Sequence, residues 1–218
     1  MAIQVKICGL TTAEAADAAL AVGADFAGLV FFPASPRFVA PDQAASLATR
    51  LRGRTRIVAL LADAKDDAIA AAIAAANPDF LQLHGQETPD RAGEIRAKFG
   101  KPVIKVIAVA DAGDLACVAR YDVEMFLFDA KAPATANRPG GHGAAFDWQL
   151  LRERSFGRPW LLAGGLNPEN VARAIDAAGA PGVDVSSGVE ERPGVKSPEM
   201  IRAFVSAARN ANYASASP

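Results

Sequence analysis

Short β-branched or aromatic runs alternate with alanine-rich runs of helical periodicity along nearly the whole chain. Runs of the first kind, bounded by turn signals, read as strands; apolar positions recurring every third or fourth residue read as amphipathic helices. Strands are expected near Ile3–Cys8, Phe26–Phe31, Arg56–Leu61, Phe80–His84, Val103–Ile107, Met125–Asp129, Pro159–Ala163 and Val183–Val185. Helices are expected near Ala13–Val22, Pro41–Leu51, Asp66–Ala76, Pro89–Phe99, Asp111–Arg120, Trp148–Arg154, Pro168–Ala178 and Pro198–Ala208. Thr88-Pro89, Asn167-Pro168 and Ser197-Pro198 each set a capping residue before a proline at the first helical position. Eight β/α units in about 210 residues predict an α/β fold, a closed (β/α)8 TIM barrel with an outer ring of helices. An open doubly wound sheet is the alternative. Its dinucleotide fingerprint belongs after the first strand, where this chain has Cys8-Gly9-Leu10-Thr11-Thr12 instead.

Composition narrows the setting. A hydrophobic fraction of 51% with 22% charged residues supports one sizeable core, and a formal net charge of −1 gives no electrostatic case for nucleic acid or an anionic membrane. No apolar stretch approaches the roughly 18 residues of a membrane span, and Met1–Lys6 leads straight into a strand-like run without an apolar signal region. Cys8 and Cys117 are far apart and form no metal-ligand spacing, so a reducing, cytoplasmic setting without a bound metal is expected. No linker divides the chain: residues 1–209 are expected as one barrel domain, and 210–218 as a small, polar, frayed tail. Two connections are long enough to serve as ligand-side loops. Phe32–Ala40 carries Ser35-Pro36-Arg37, and Ala130–Asp147 carries Pro139-Gly140-Gly141-His142-Gly143.

Two glycine-marked turns follow the last two strands. They are Ala163-Gly164-Gly165-Leu166-Asn167-Pro168 and Val185-Ser186-Ser187-Gly188-Val189-Glu190. Glycine lets a backbone turn tightly and bring bare N–H groups against an anion, and a helix starting behind the turn adds its positive dipole end. Two such turns on the final strands of a barrel match the usual phosphate site of the fold and point to a small phosphorylated ligand. Taken singly, each is also compatible with an ordinary β-to-α turn.

Side chains two apart on a strand share a face. Apolar Val5 and Ile7 belong against the helices, which turns Gln4, Lys6 and Cys8 inward; Phe126 and Phe128 do the same for Met125, Leu127 and Asp129. Gln82 and His84, and Asp184 and Ser186, are likewise expected inside. Inward residues at C-terminal strand ends line the mouth, so Cys8, His84 and Asp129 should converge there. A cysteine facing a carboxyl is a natural acid/base pair, whereas a buried cysteine alone is commonly a small hydrophobe, the reading given to Cys117. His84 serves equally as a pocket wall or as a ligand contact. An inward Lys6 needs a partner, and Asp184 on the eighth strand is the expected one. A cation near Cys8 is also expected to favour the thiolate.

These segments, taken together, resemble the phosphoribosylanthranilate isomerase family of tryptophan biosynthesis. The likeness is carried by Lys6-Ile7-Cys8-Gly9, Ser35-Pro36-Arg37, Leu81-Gln82-Leu83-His84-Gly85, Leu127-Phe128-Asp129, Gly140-Gly141-His142-Gly143 with Phe146-Asp147-Trp148, and the two glycine-marked turns, in order over about residues 3 to 205. The resemblance implies Cys8 as general base and Asp129 as general acid. It implies Arg37 at the anthranilate end, with His84 and Asp184 as further substrate contacts. Gly164, Gly165, Ser186, Ser187 and Gly188 would form the phosphate site. His142 departs from the small polar residue more usual in that loop. The implied reaction is an Amadori rearrangement of an aminoaldose to an aminoketose, needing no cofactor, in a monomer or homodimer. Its rivals are other phosphate-binding barrels, namely indole-glycerol-phosphate synthase or the sugar-phosphate isomerases of histidine synthesis, and a non-catalytic phosphate- or flavin-binding barrel. The histidine enzymes typically carry paired aspartates on the first and fifth strands, where this chain has Cys8 and Ile107.

Overall fold

The computed structural model describes residues 2–131 and 145–211. Eight parallel strands form where the sequence places them: β1 (Gln4–Cys8), β2 (Phe26–Val30), β3 (Arg56–Leu61), β4 (Phe80–Leu83), β5 (Val103–Val109), β6 (Met125–Ala130), β7 (Trp160–Leu162) and β8 (Gly182–Val185). Each pairs with the next, and β8 pairs with β1, so the sheet is a closed barrel. The helices between them are α1 (Ala13–Ala21), α2 (Pro41–Leu51), α3 (Asp66–Ala76), α4 (Pro89–Phe99), α5 (Val171–Ala178) and α6 (Pro198–Arg209), with 3₁₀ helices at Ala112–Arg120, Trp148–Leu151 and Ser187–Val189. The run Pro139–Gly143 with His142, and positions 212–218 of the tail, lie outside the described residues. No helix among the described residues is long and apolar enough to cross a membrane.

Strand alternation sorts the apolar residues into two layers. Phe26, Val58, Ile104, Val106, Met125, Leu127, Leu161 and Ala163 fill the barrel interior. Val5, Ile7, Phe126 and Phe128 face outward into the larger layer between strands and helices. There Phe128 meets Phe156 and Trp160 at ring-centroid distances of 4.4 and 5.5 Å. The helices begin as their caps dictate: the Thr12, Thr88 and Ser197 side chains each accept a backbone N–H from the first turn.

Three helices differ from their sequence pattern, two of them because short polar side chains take over the local hydrogen bonds. Asp111 Oδ1 accepts from Gly113 N, and Asp114 Oδ2 accepts from Ala110 N; this tight start continues as the 3₁₀ helix Ala112–Arg120. Helix α5 starts at Val171 rather than Pro168. Asn167 Oδ1 accepts from Glu169 N and Asn170 N, while Asn170 Oδ1 accepts from Asn167 N, in place of a first helical turn. The Trp148–Arg154 pattern yields only the turn Trp148–Leu151 before Glu153 adopts a left-handed φ of 60°. A small hairpin, β9 (Glu190–Arg192) and β10 (Val195–Lys196), follows β8 and has no counterpart in the sequence reading.

Barrel closure brings Lys6 opposite Asp184, with Nζ 2.8 Å from Oδ1 and the ammonium wholly buried. Removing one partner of such a pair strands the other as a buried charge, at a cost of about 3–5 kcal/mol. Lys6→Met is therefore expected to lower the unfolding free energy from urea titration by an amount in that range, moving the midpoint down, and Lys6→Met/Asp184→Leu to recover most of it. A Lys6→Met midpoint equal to that of the parent would mean that Asp184 does not depend on this cation.

Candidate active site

The functional groups gather on the rim formed by the C-terminal strand ends. Cys8 closes β1, and its Sγ lies over Gly28 of β2, where an added Cβ would come within 2.8 Å of the sulfur. Gly9 turns with φ 76°, and the N–H groups of Gly9 and Leu10 both donate to the Gly28 carbonyl, at 2.9 and 3.0 Å. The thiol is therefore held against β2 in a buried position. Burial works against the Lys6 ammonium, yet Asp184 and Cys8 together keep its pKa above the ordinary lysine value. For Cys8 the balance falls the other way. Burial pushes the thiol up, Lys6 pulls it down and Asp184 pushes it up again, leaving it above the ordinary thiol value. This runs against the expectation of a lowered thiol pKa: burial outweighs the Lys6 charge, which is also shared with Asp184.

Asp129 ends the inward face of β6. Its Oδ1 accepts from Ala130 N at 2.8 Å, and its Oδ2 lies 3.2 Å from His84 Nε2 without the alignment of a hydrogen bond. The Gln82 amide sits 3.3 Å from His84 Nδ1, which sets the imidazole between Gln82 and Asp129. The turn carrying His84 is fixed by Glu87. Its carboxylate accepts from Asp63 N and Gly85 N and pairs with Lys105 Nζ at 2.7 Å. A cavity of about 370 Å³ opens beside His84 and Asp129, walled further by Ala108, Cys117 and Tyr121.

The two glycine-marked turns pack backbone to backbone. A Cβ on Gly188 would fall 1.9 Å from the Leu166 carbonyl oxygen, and Gly164, at φ 86°, lies against Ala130 N and Asp129 Oδ1. The N–H groups of Gly165, Ser187 and Gly188 donate to no described residue. Neighbouring unsatisfied donors of this kind form an anion-binding concavity.

Arg37 is buried beside Gly9, whose missing Cβ makes room for the arginine stem. Its Nε and Nη2 donate to Glu190 Oε1 and Oε2 at 2.7 and 2.8 Å. Lys196 Nζ shares Oε1 at 2.7 Å and also donates to the Ser186 carbonyl at 2.9 Å. Burial opposes the Glu190 carboxylate, but Arg37 and Lys196 hold its pKa below the ordinary value. Burial, with Arg37 adding to it, depresses the Lys196 pKa in spite of Glu190. Arg37, His84 and Asp184 thus all reach the rim, alongside Cys8, Asp129 and the two turns. Sequence reasoning gave no role to Glu190, Lys196, Glu87 or Lys105. A signal existed for Lys105, a lone charge inside Val103-Ile104-Lys105-Val106-Ile107, since a buried ammonium demands a partner.

The model of the N-(5'phosphoribosyl)anthranilate (PRA) isomerase family matches residues 5–207. The N-(5'-phosphoribosyl)anthranilate isomerase of Rhodopseudomonas palustris (strain BisA53) is 52% identical over 211 residues, covering 96% of this chain and 97% of the relative. The crystal structure of phosphoribosyl anthranilate isomerase from Thermotoga maritima superposes with a TM-score of 0.84 at 35% identity, covering 94% of this chain and 98% of that one. A phosphoribosyl anthranilate isomerase in complex with reduced 1-(o-carboxyphenylamino)-1-deoxyribulose 5-phosphate superposes with a TM-score of 0.80 at 32% identity, with the same coverage of both chains.

The raised Cys8 thiol gives a direct expectation. In a Cys117→Ser background, the midpoint of Cys8 alkylation against pH should lie above the ordinary thiol value of about 8.5. Lys6→Met should move it higher still, because the change removes a cation and leaves Asp184 unpaired. A midpoint below the ordinary value would show that the cations outweigh burial.

Proposed function

Because the chain belongs to the N-(5'-phosphoribosyl)anthranilate isomerase family, we propose that Cys8 is the general base and Asp129 the general acid of its reaction. The enzyme converts N-(5'-phosphoribosyl)anthranilate to 1-(2-carboxyphenylamino)-1-deoxyribulose 5-phosphate, a step of tryptophan biosynthesis. The rearrangement consists of proton transfers within one molecule. A proton reaches the furanose ring oxygen, the ring C–O bond opens, and nitrogen stabilises the resulting cation as an iminium. The adjacent sugar C–H is then acidic, and its removal gives an enolamine that relaxes to the ketone. Each positioned proton transfer contributes about 10²–10⁴ in rate.

One observation carries the assignment: Asp129, the Gly164-Gly165 turn, the Ser186-Ser187-Gly188 turn, Cys8 and the Gly9–Arg37 contact occupy consecutive strands β6, β7, β8, β1 and β2 around one rim. A phosphate seated on the two turns lies between the acid and the base. Asp129 Oδ1 is occupied by Ala130 N–H, so Oδ2 is the oxygen that delivers the proton. His84 Nε2 lies 3.2 Å from that oxygen. Asp184 gives Oδ1 to Lys6 and keeps Oδ2 for a sugar hydroxyl. Arg37 takes the anthranilate carboxylate. The raised thiol means that Cys8 enters the reaction protonated at neutral pH and becomes a base only with substrate in place. We take residues 1–209 as the catalytic domain and place the reaction in the cytoplasm, since a phosphorylated, carboxylated substrate does not cross a membrane unaided.

Cys8→Ala and Asp129→Asn are each expected to lower kcat by at least about 10²-fold with a smaller change in KM, followed by the loss of anthranilate fluorescence. Near-normal turnover in either variant would remove that residue from its role. A crystal grown with sulfate should hold the anion on the N–H groups of Gly165 and Ser187. An anion found only at the N-terminal face of the barrel would contradict the phosphate assignment.

A further inference from the structure

The β9–β10 hairpin takes no part in barrel closure, yet three of its buried contacts bear on the rim. Glu190 grips Arg37 through both carboxylate oxygens, and Lys196 joins Glu190 to the Ser186 carbonyl. In the hairpin turn, Gly194 sits so close to Pro36 that a Cβ would lie 2.4 Å from its carbonyl oxygen, and the Gly194 carbonyl accepts from Thr11 Oγ1 at 2.8 Å. Ser186 Oγ closes the circuit by donating to the Cys8 carbonyl at 3.2 Å. Two cations share one carboxylate here, all three side chains being at most 6% exposed. The cluster therefore keeps an uncompensated positive charge. With Nε and Nη2 fixed on Glu190, the remaining arginine nitrogen, Nη1, has no hydrogen bond among the described residues.

We infer that Glu190 is a positioning residue for the isomerisation: its two-pronged pair with Arg37 fixes the direction in which Nη1 meets the substrate carboxylate, and Lys196 ties that direction to the turn at Ser186. The inference rests on the reading of Arg37 as the carboxylate contact. A bidentate pair between guanidinium and carboxylate sets orientation as well as strength. An arginine released from it loses aim, and ordering it again when the ligand binds weakens the complex. Glu190 touches no reacting atom, so its loss should appear in binding of the carboxylated end and much less in kcat.

The test compares two stable ligands, the reduced product analogue and its counterpart lacking the ring carboxyl group. Their dissociation constants are measured for the parent, Glu190→Gln, Arg37→Met and the double variant, with kcat and KM for each. The inference expects Glu190→Gln to shrink the preference for the carboxylated ligand by about tenfold, mostly through KM, and to add little once Arg37 is Met. A preference lost in Arg37→Met but intact in Glu190→Gln overturns the inference and leaves the Arg37 reading standing. A preference intact in Arg37→Met overturns that reading, and the inference with it. Equal losses from Glu190→Gln in both arginine backgrounds also overturn it, since Glu190 would then act without Arg37. Should Glu190→Gln fail to fold by circular dichroism, Glu190→Asp gives the same ratio: it keeps the charge but is one methylene too short to hold both prongs, and an unchanged preference overturns the inference.

Discussion

Everything on the rim depends on how β8 closes against β1. Four residue pairs fix that register, from Gln4 with Gly182 to Ile7 with Val185, and the third of them sets Lys6 against Asp184. A slip of one residue would turn Lys6 and Cys8 toward the helices and drive Val5 and Ile7 into the barrel. The buried ion pair penalises that error more strongly than apolar packing alone, because a misplaced ammonium or carboxylate would lie without a partner. The same closure makes neighbours of Cys8 and Ser186, which an open sheet would leave on opposite edges.

The neutrality of that pair has a chemical consequence. A lysine two residues from a cysteine on the same strand face suggests an activated thiolate. In the fold, burial supplies the largest effect and Asp184 works in the same direction against the Lys6 charge. A resting thiol is also less open to oxidation and alkylation than a thiolate.

Much of this was legible in the sequence because barrel strands announce themselves twice, by β-branched runs and by alternation. Val5 and Ile7 alone were enough to turn Cys8 inward, and Phe126 and Phe128 did the same for Asp129. Two glycines of these turns, Gly164 and Gly188, stand where a side chain would strike backbone, Gly188 against Leu166 most severely. The β9–β10 hairpin was not legible. Glu190-Glu191-Arg192-Pro193-Gly194-Val195-Lys196 has no apolar alternation, and its value lies in contacts with Arg37, more than 150 positions away. The late start of α5 was hidden for a similar reason: Asn167-Pro168 is a good helix opening by propensity, but the paired asparagine side chains satisfy the backbone first.

The order of groups around the rim explains how one small site serves both ends of a long substrate. Asp129, two sets of bare N–H groups, Cys8 and Arg37 follow one another over five adjacent strands, with His84 entering from β4. In the proposed assignment the two glycine-marked turns sit between the acid and the base, so an anion held there would bring the sugar within reach of both. At the far end of the arc, two buried cations share a single carboxylate, and in the proposed assignment a second anionic group on the substrate would supply the missing negative charge. Binding at the two ends therefore restrains the sugar between them without touching the atoms that react. Interactions with such remote groups raise the rate only if the anchor points are rigid, since slack at either end would return the entropy that binding removed. Rigidity at the phosphate end comes from turns packed backbone to backbone. At the carboxylate end we infer that it comes from Glu190, a residue outside the barrel that acts on binding of the carboxylate rather than on the proton transfers.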